Sequence, residues 1–115
     1  MSIKESIFAC EPKQREVDLS ELTGVSGQKG TMVELTLGDR ELLEKTIGKE
    51  PNLYRAAYIA FCLYEDNENG ELVRVFSEDD ISRLANLPFH KLHYLAEEAF
   101  RVCSILADDE TTEKN

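Results

Sequence analysis

The chain has 115 residues, 42% of them hydrophobic, with 13 basic against 23 acidic side chains and a formal net charge of −10. That length makes one domain, able to bury about two thirds of its unfolded surface without disulfides or metal, and the hydrophobic content excludes wholesale disorder. The acids are spread along the whole chain, which leaves no basic face for a phosphate backbone or an anionic membrane surface, so neither nucleic acid nor membrane is expected as a partner.

Ser2 and Glu5 have the spacing of a capping box ahead of Ile7 and Phe8, which predicts a short N-terminal helix ending before Pro12. The same opening, MSIKESIFACEPK, holds no apolar core long enough for a signal peptide, and a cytoplasmic location is expected. Glu16 to Leu19 alternates as a short strand does, and Gly24, Gly27 and Gly30 then mark a flexible connection. Thr31 to Leu37 gives the clearest strand pattern, with Val33, Leu35 and Leu37 on one side and Met32, Glu34 and Thr36 on the other. Gly38-Asp39 stops that strand, and Asp39 is expected to cap a helix that carries Leu42, Leu43 and Ile47 and ends at Gly48.

The next stretch, PNLYRAAYIAFCLY (51–64), is the centre of the predicted fold. Pro51 suits a first helical turn, the alanines favour helix, and apolar side chains cover the circumference except near Arg55 and Cys62. A helix apolar on nearly all sides is buried. Its uncharged run, Ala56 to Tyr64, is far shorter than the ~20 residues a bilayer needs. Glu65 to Gly70 is a polar turn with an Asn-Gly pair, but the residues before it are too polar to predict a strand that would pair with Leu72 to Phe76. Ser77 followed by Glu78, Asp79 and Asp80 starts a helix that carries Ile81, Leu84 and Ala85 and breaks at Pro88. The last helix is predicted from about Phe89 to Ala107, with Phe89, Leu92, Leu95, Ala96, Ala99, Phe100, Val102, Cys103 and Leu106 in one apolar stripe. Residues 108–115 read as a flexible acidic tail after a single domain of residues 1–107. The expected fold is α+β and predominantly α-helical: four to five helices around the central buried helix 51–64, with a small antiparallel β-ribbon made by 16–19 and 31–37.

Little in the sequence points to catalysis. His90, His93 and Glu97 share one helical face at i, i+3 and i+7, a spacing open to zinc, but a solvated polar face explains them better, and neither metal nor cofactor is expected. The acidic runs 65–68 and 78–80 lack the alternating ligands and closing Glu of a calcium loop. With no nucleophile–base pair, P-loop or dinucleotide fingerprint, the chain is read as non-enzymatic. Cys10, Cys62 and Cys103 are odd in number, with no C-x-x-C, and read as reduced thiols. Tyr94 and Ile105 interrupt the polar side of the last helix, with Glu98 and Arg101 between them. Isolated exposed apolar residues are common, yet these four are the candidate residues for a protein-contact surface.

Two pieces, MVELTLGDRELLEK (32–45) and LYRAAYIAFCLYEDNENGELVRVFSEDDISRLANL (53–87), together with the opening MSIKESIFA, resemble the tail assembly chaperones of long-tailed, siphovirus-type bacteriophages and their prophage relatives. Leu87-Pro88-Phe89 departs from that pattern, which expects a Ser-led, Ala-rich start to the last helix. The resemblance implies a late protein of the host cytoplasm, needed during tail assembly and absent from the mature virion. Such proteins bind the tape measure protein, keep it soluble and help recruit tail tube subunits, the latter through a longer form made by −1 translational frameshift. Homo-oligomerisation is left open. The rival reading is a small acidic inhibitor or nucleic-acid mimic that binds a basic host protein, which calls for acids gathered on one face; here they cap helices and fill turns.

The implied frameshift can be checked in the gene. Glu113-Lys114-Asn115 can be spelled GAA AAA AAC, which contains the slippery heptamer A-AAA-AAC, and those codons are the expected finding. Codons such as GAG AAG AAT, with no other slippery site upstream, would remove the longer form.

Overall fold

A computed structural model describes residues 2–48 and 50–105, so the expected tail at 108–115 lies outside the described residues. In chain order run α1 (Ile3–Phe8), β1 (Gln14–Asp18), α2 (Ser20–Thr23), β2 (Lys29–Val33) and α3 (Leu37–Ile47). A 3-10 turn (Pro51–Leu53) then leads into α4 (Tyr54–Cys62), followed by β3 (Leu63–Asp66) and β4 (Leu72–Arg74). A second 3-10 turn (Glu78–Asp80) opens α5 (Ile81–Ala85), and α6 (Phe89–Val102) closes the described chain. The strands form one antiparallel sheet in the order β1-β2-β3-β4. The fold is α+β.

The predominantly helical fold with a two-stranded ribbon at 16–19 and 31–37 is therefore corrected. Six helices share the described residues with a four-stranded sheet, and the ribbon is only the β1–β2 half of that sheet. The first cause lies in 51–64, where helix stops at Cys62 and Leu63 and Tyr64 pair with Met32 and Thr31. The second is a turn built by one side chain. Asn67 Oδ1 accepts from the Asn69 and Glu71 N–H groups at 2.9 and 3.0 Å, and Gly70 takes φ +77°, which folds β4 back on β3. Glu65 and Asp66 fit a strand despite their polarity because both are exposed.

The phase of β2 is also corrected. Met32 and Gly30 are its buried residues, whereas Val33, assigned by sequence to the apolar side, is half-buried. The register explains this, since Val17 faces Gly30 and Met32 faces both Arg15 and Leu63, placing all five on the face that meets the helices. Gly30 is thus no flexible link. A Cβ there would stand 2.9 Å from Leu63 Cδ1 and 3.1 Å from Leu19 Cδ1, so only glycine fits without moving these leucines. On the opposite face the exposed Lys29 and Glu16 pair at 3.3 Å.

Helix ends follow from caps. Thr36, not Asp39, caps α3, its hydroxyl accepting from the Asp39 N–H at 3.1 Å, while the Asp39 carboxylate meets Arg74 of β4 at 3.1 Å. The last helix stops at Val102, short of the expected Ala107. Ser104 adopts φ +63°, its N–H donates to the Arg101 carbonyl at 3.0 Å, and the Ile105 N–H reaches back to the Phe100 carbonyl at 2.8 Å. These two bonds form a Schellman end with serine in the usual glycine place.

Seven consecutive residues of α4, Ala56 to Cys62, are buried. Its alanines let α6 pack close alongside, and Tyr58 stacks edge-on against Phe100 with ring centroids 5.1 Å apart. The Tyr58 hydroxyl is buried without a hydrogen-bond partner among the described residues, and burial raises its pKa. Phe61 is buried under the Arg74 guanidinium, 4.8 Å from its ring centre. Phe61→Ala should therefore cost about 3–5 kcal/mol in urea unfolding; a loss below about 1 kcal/mol would contradict this packing.

Candidate partner-binding groove

Tyr94, Glu98 and Arg101, expected to line a protein-contact surface, instead follow the line along which α6 meets β1. Tyr94 is 41% exposed, and its hydroxyl accepts from the Asp18 N–H at 3.4 Å. Glu98 is only 6% exposed and receives a hydrogen bond from Arg15 Nε, while Arg101 Nη1 lies 3.4 Å from its other carboxylate oxygen. Arg15 points inward because it shares the helix-facing side of β1 with Val17, and Glu98 supplies the charge it needs there. Ile105, also 41% exposed, lies beyond the helix end in the Schellman turn. Glu98 and Arg101 thus serve an internal ion cluster.

An apolar depression lies further along α6. Leu19 and Leu22 around α2, Phe76 after β4, and Leu87, Pro88 and Leu92 at the α5–α6 corner line an open groove of about 430 Å³. Lys29, Glu65 and Lys91 stand along it. Lys91 makes no ion pair with any described residue, whereas Lys29 is paired with Glu16. A wider, more polar depression shares Leu22 and Lys91 with the groove and reaches Asp18, His90 and Tyr94. Tyr94 therefore rims the extension of the groove, while Glu98, Arg101 and Ile105 line neither depression.

Local sequence explains why this surface stays open. Asp18 Oδ1 accepts from both the backbone N–H and the hydroxyl of Ser20, at 2.9 and 2.7 Å, which starts α2 directly after β1. These same bonds, hydroxyl first, lower the Asp18 pKa. Gly24 ends that helix at φ +77°. Leu19 and Leu22, three residues apart, are thereby held side by side yet only half-buried. At the other wall Pro88 separates α5 from α6 and leaves Leu87 50% exposed. The groove is not legible in the sequence because Gly24, Gly27 and Gly30 read as a flexible connection. The Leu-x-x-Leu spacing was the available signal.

The remaining candidates form no site. His93 and Glu97 lie 3.3 Å apart and Phe89 stacks on His93, while His90 lies in the neighbouring depression. No three His, Cys, Asp or Glu side chains among the described residues converge as metal ligands. Cys62 and Cys103, distant in sequence, have sulfurs 3.8 Å apart. Their hydrogen bond pulls the Cys103 thiol below its ordinary pKa and, with burial, pushes Cys62 up. No described helix is long and apolar enough to cross a membrane. Comparisons of the chain with protein-family models, curated proteins and solved structures return no match.

The ion cluster yields a stability test. Arg15→Met leaves Glu98 buried with Arg101 as its remaining described partner, and should cost about 1–3 kcal/mol in urea unfolding, since Arg15 is itself part-exposed. An unchanged midpoint would mean that Glu98 is served adequately without Arg15.

Proposed function

We propose that this chain is a non-enzymatic tail assembly chaperone of a long-tailed phage or prophage, acting in the host cytoplasm to keep the tape measure protein soluble. The observation that carries the reading is the open apolar groove between α2 and the α5–α6 corner on a chain of net charge −10. A groove of this kind suits one face of an amphipathic helix, laid in through residues three and four apart. The surrounding negative charge keeps the complex dispersed while the sticky surface is covered. The partner class comes from the sequence resemblance, as do tail tube recruitment by a longer form and absence from the virion. Acids here also have internal work: Glu98 holds Arg15, Asp39 holds Arg74, and Asp80 accepts from the Ser77 N–H at the start of α5. That dispersal gives the inhibitor reading no added support.

Co-expression with the tape measure protein encoded beside it should move that protein from the pellet to the soluble fraction. Leu87→Asp, on the half-exposed lip of the groove, should leave the melting temperature within a few degrees of wild type and reduce the rescue severalfold. Failure of the wild type to rescue would overturn the chaperone reading. Full rescue by Leu87→Asp would place the contact elsewhere.

A further inference from the structure

The first helix has no apolar cover among the described residues of its own chain. Helix α1 has six residues and buries none of them. An isolated helix in water needs roughly 12–15 residues to be even marginally stable. Its Ser2 cap, which accepts from the Glu5 N–H at 3.1 Å, is worth only about 1 kcal/mol. Yet Ile3, Ile7 and Phe8 are 81%, 62% and 78% exposed, the largest such cluster at either end of the described chain. Ile3 and Ile7 stack at i and i+4, and Phe8 lies about 100° further round, so the helix offers a short, broad apolar face that no described residue covers.

The groove is the complementary surface, and α1 does not fill it in its own chain, as those exposures show. The tether is also unfavourable. Lys13 is fastened to β2's extension, its N–H donating to Glu34 Oε1 at 3.0 Å and its carbonyl accepting from the Glu34 N–H at 2.8 Å. Between Phe8 and that anchor lie residues 9–12, able to span about 17 Å fully extended. From the anchor at Lys13 the chain runs about 20 Å along β1 before the groove begins at Leu19. Reaching it would require the tether to double back fully stretched, whereas the Cys10 N–H to Ile7 carbonyl bond at 3.1 Å holds it turned.

We infer that α1 of one chain docks in the apolar groove of a second copy of the chain, with Ile3, Ile7 and Phe8 against Leu19, Leu22 and Leu87. Charge agrees with this occupant: the unpaired Lys91 on the rim meets Glu5 or Glu11 of the incoming segment, and Lys4 finds Glu65. Each chain then carries one donor helix and one acceptor groove, so association either closes as a reciprocal exchange or continues head to tail. The inference does not depend on the identity of any other partner. Where another protein's helix uses the same groove, the two occupants compete.

The test is complementation between two surface variants of the full chain, followed by light scattering after size exclusion. Wild type should show a mass that rises with concentration above the 13.1 kDa of one chain. The variant Ile3→Asp with Phe8→Asp keeps a groove but loses the donor, and Leu87→Asp keeps the donor but loses the groove. Each alone should run as a single chain with an unchanged melting temperature, since all three side chains are half-exposed or more. Mixed in equal amounts, they should form a complex of two chains, because one intact donor and one intact groove remain. Lys91→Glu, at an exposed position on the rim, serves as a second acceptor variant and should weaken the wild-type association severalfold. A wild type that stays at 13.1 kDa up to several hundred micromolar, a donor variant that still associates, or a mixture that stays as single chains would each overturn the inference.

Discussion

The structure depends on the absence of a loop between Cys62 and Leu63. The buried helix α4 ends on one residue and the interior strand β3 begins on the next. Everything the helix buries therefore fixes the sheet as well. Tyr58, Ile59 and Phe61 each stabilise the fold by roughly 1.5–3 kcal/mol through burial. Their position sets Leu63 against Met32, where its Cδ1 would stand 2.9 Å from a Cβ placed on Gly30. Around this unit α6 lies across β1 and β2, joined to β1 by the Arg15–Glu98 cluster, and α3 is held to β4 by Asp39 and Arg74.

The groove is what this arrangement leaves uncovered. The hairpin of β1 and β2 ends in α2 on one side, and the α5–α6 corner stands on the other. Each wall exposes leucines because its backbone is committed elsewhere: α2 to the Asp18–Ser20 turn and Gly24, the corner to Pro88. An apolar opening of this kind is the sort of surface at which proteins bind partners. The same reasoning applies to α1, whose Ile3 and Phe8 are exposed among the described residues. Groove and helix are two places where the described residues leave apolar surface exposed.

The parts legible in the sequence were those with a long or chemically strong signal. The apolar run after Pro51, the Ser77 cap with its three acids, the α6 stripe and the Ser2 start of α1 all became helices close to where they were expected. What was not legible arose from tertiary competition. Leu63 and Tyr64 continue a helical pattern and become strand only because β2 stands beside them. The turn of β3 into β4 rests on the single Asn67 side chain, and the polar Glu65 and Asp66 masked the strand before it. In β2 the alternation was visible but its phase was not, since both sides carry apolar residues and the partner at Leu63 decides which is buried. On α6 Glu98 and Arg101 read as part of a protein-contact surface because the inward Arg15 that meets Glu98 is 83 residues away.

The central claim is that the groove between α2 and the α5–α6 corner receives an apolar helical segment from another protein. Amide hydrogen exchange tests it most directly, measured on the dilute chain with and without a helical peptide from the proposed partner, a tape measure protein. Exchange should slow across residues 19–28 and 84–92, which line the groove, while the amides of α4, already buried, should change little. Slowing confined to the far end of α6, around Ser104 and Ile105, or no change at all, would contradict the account.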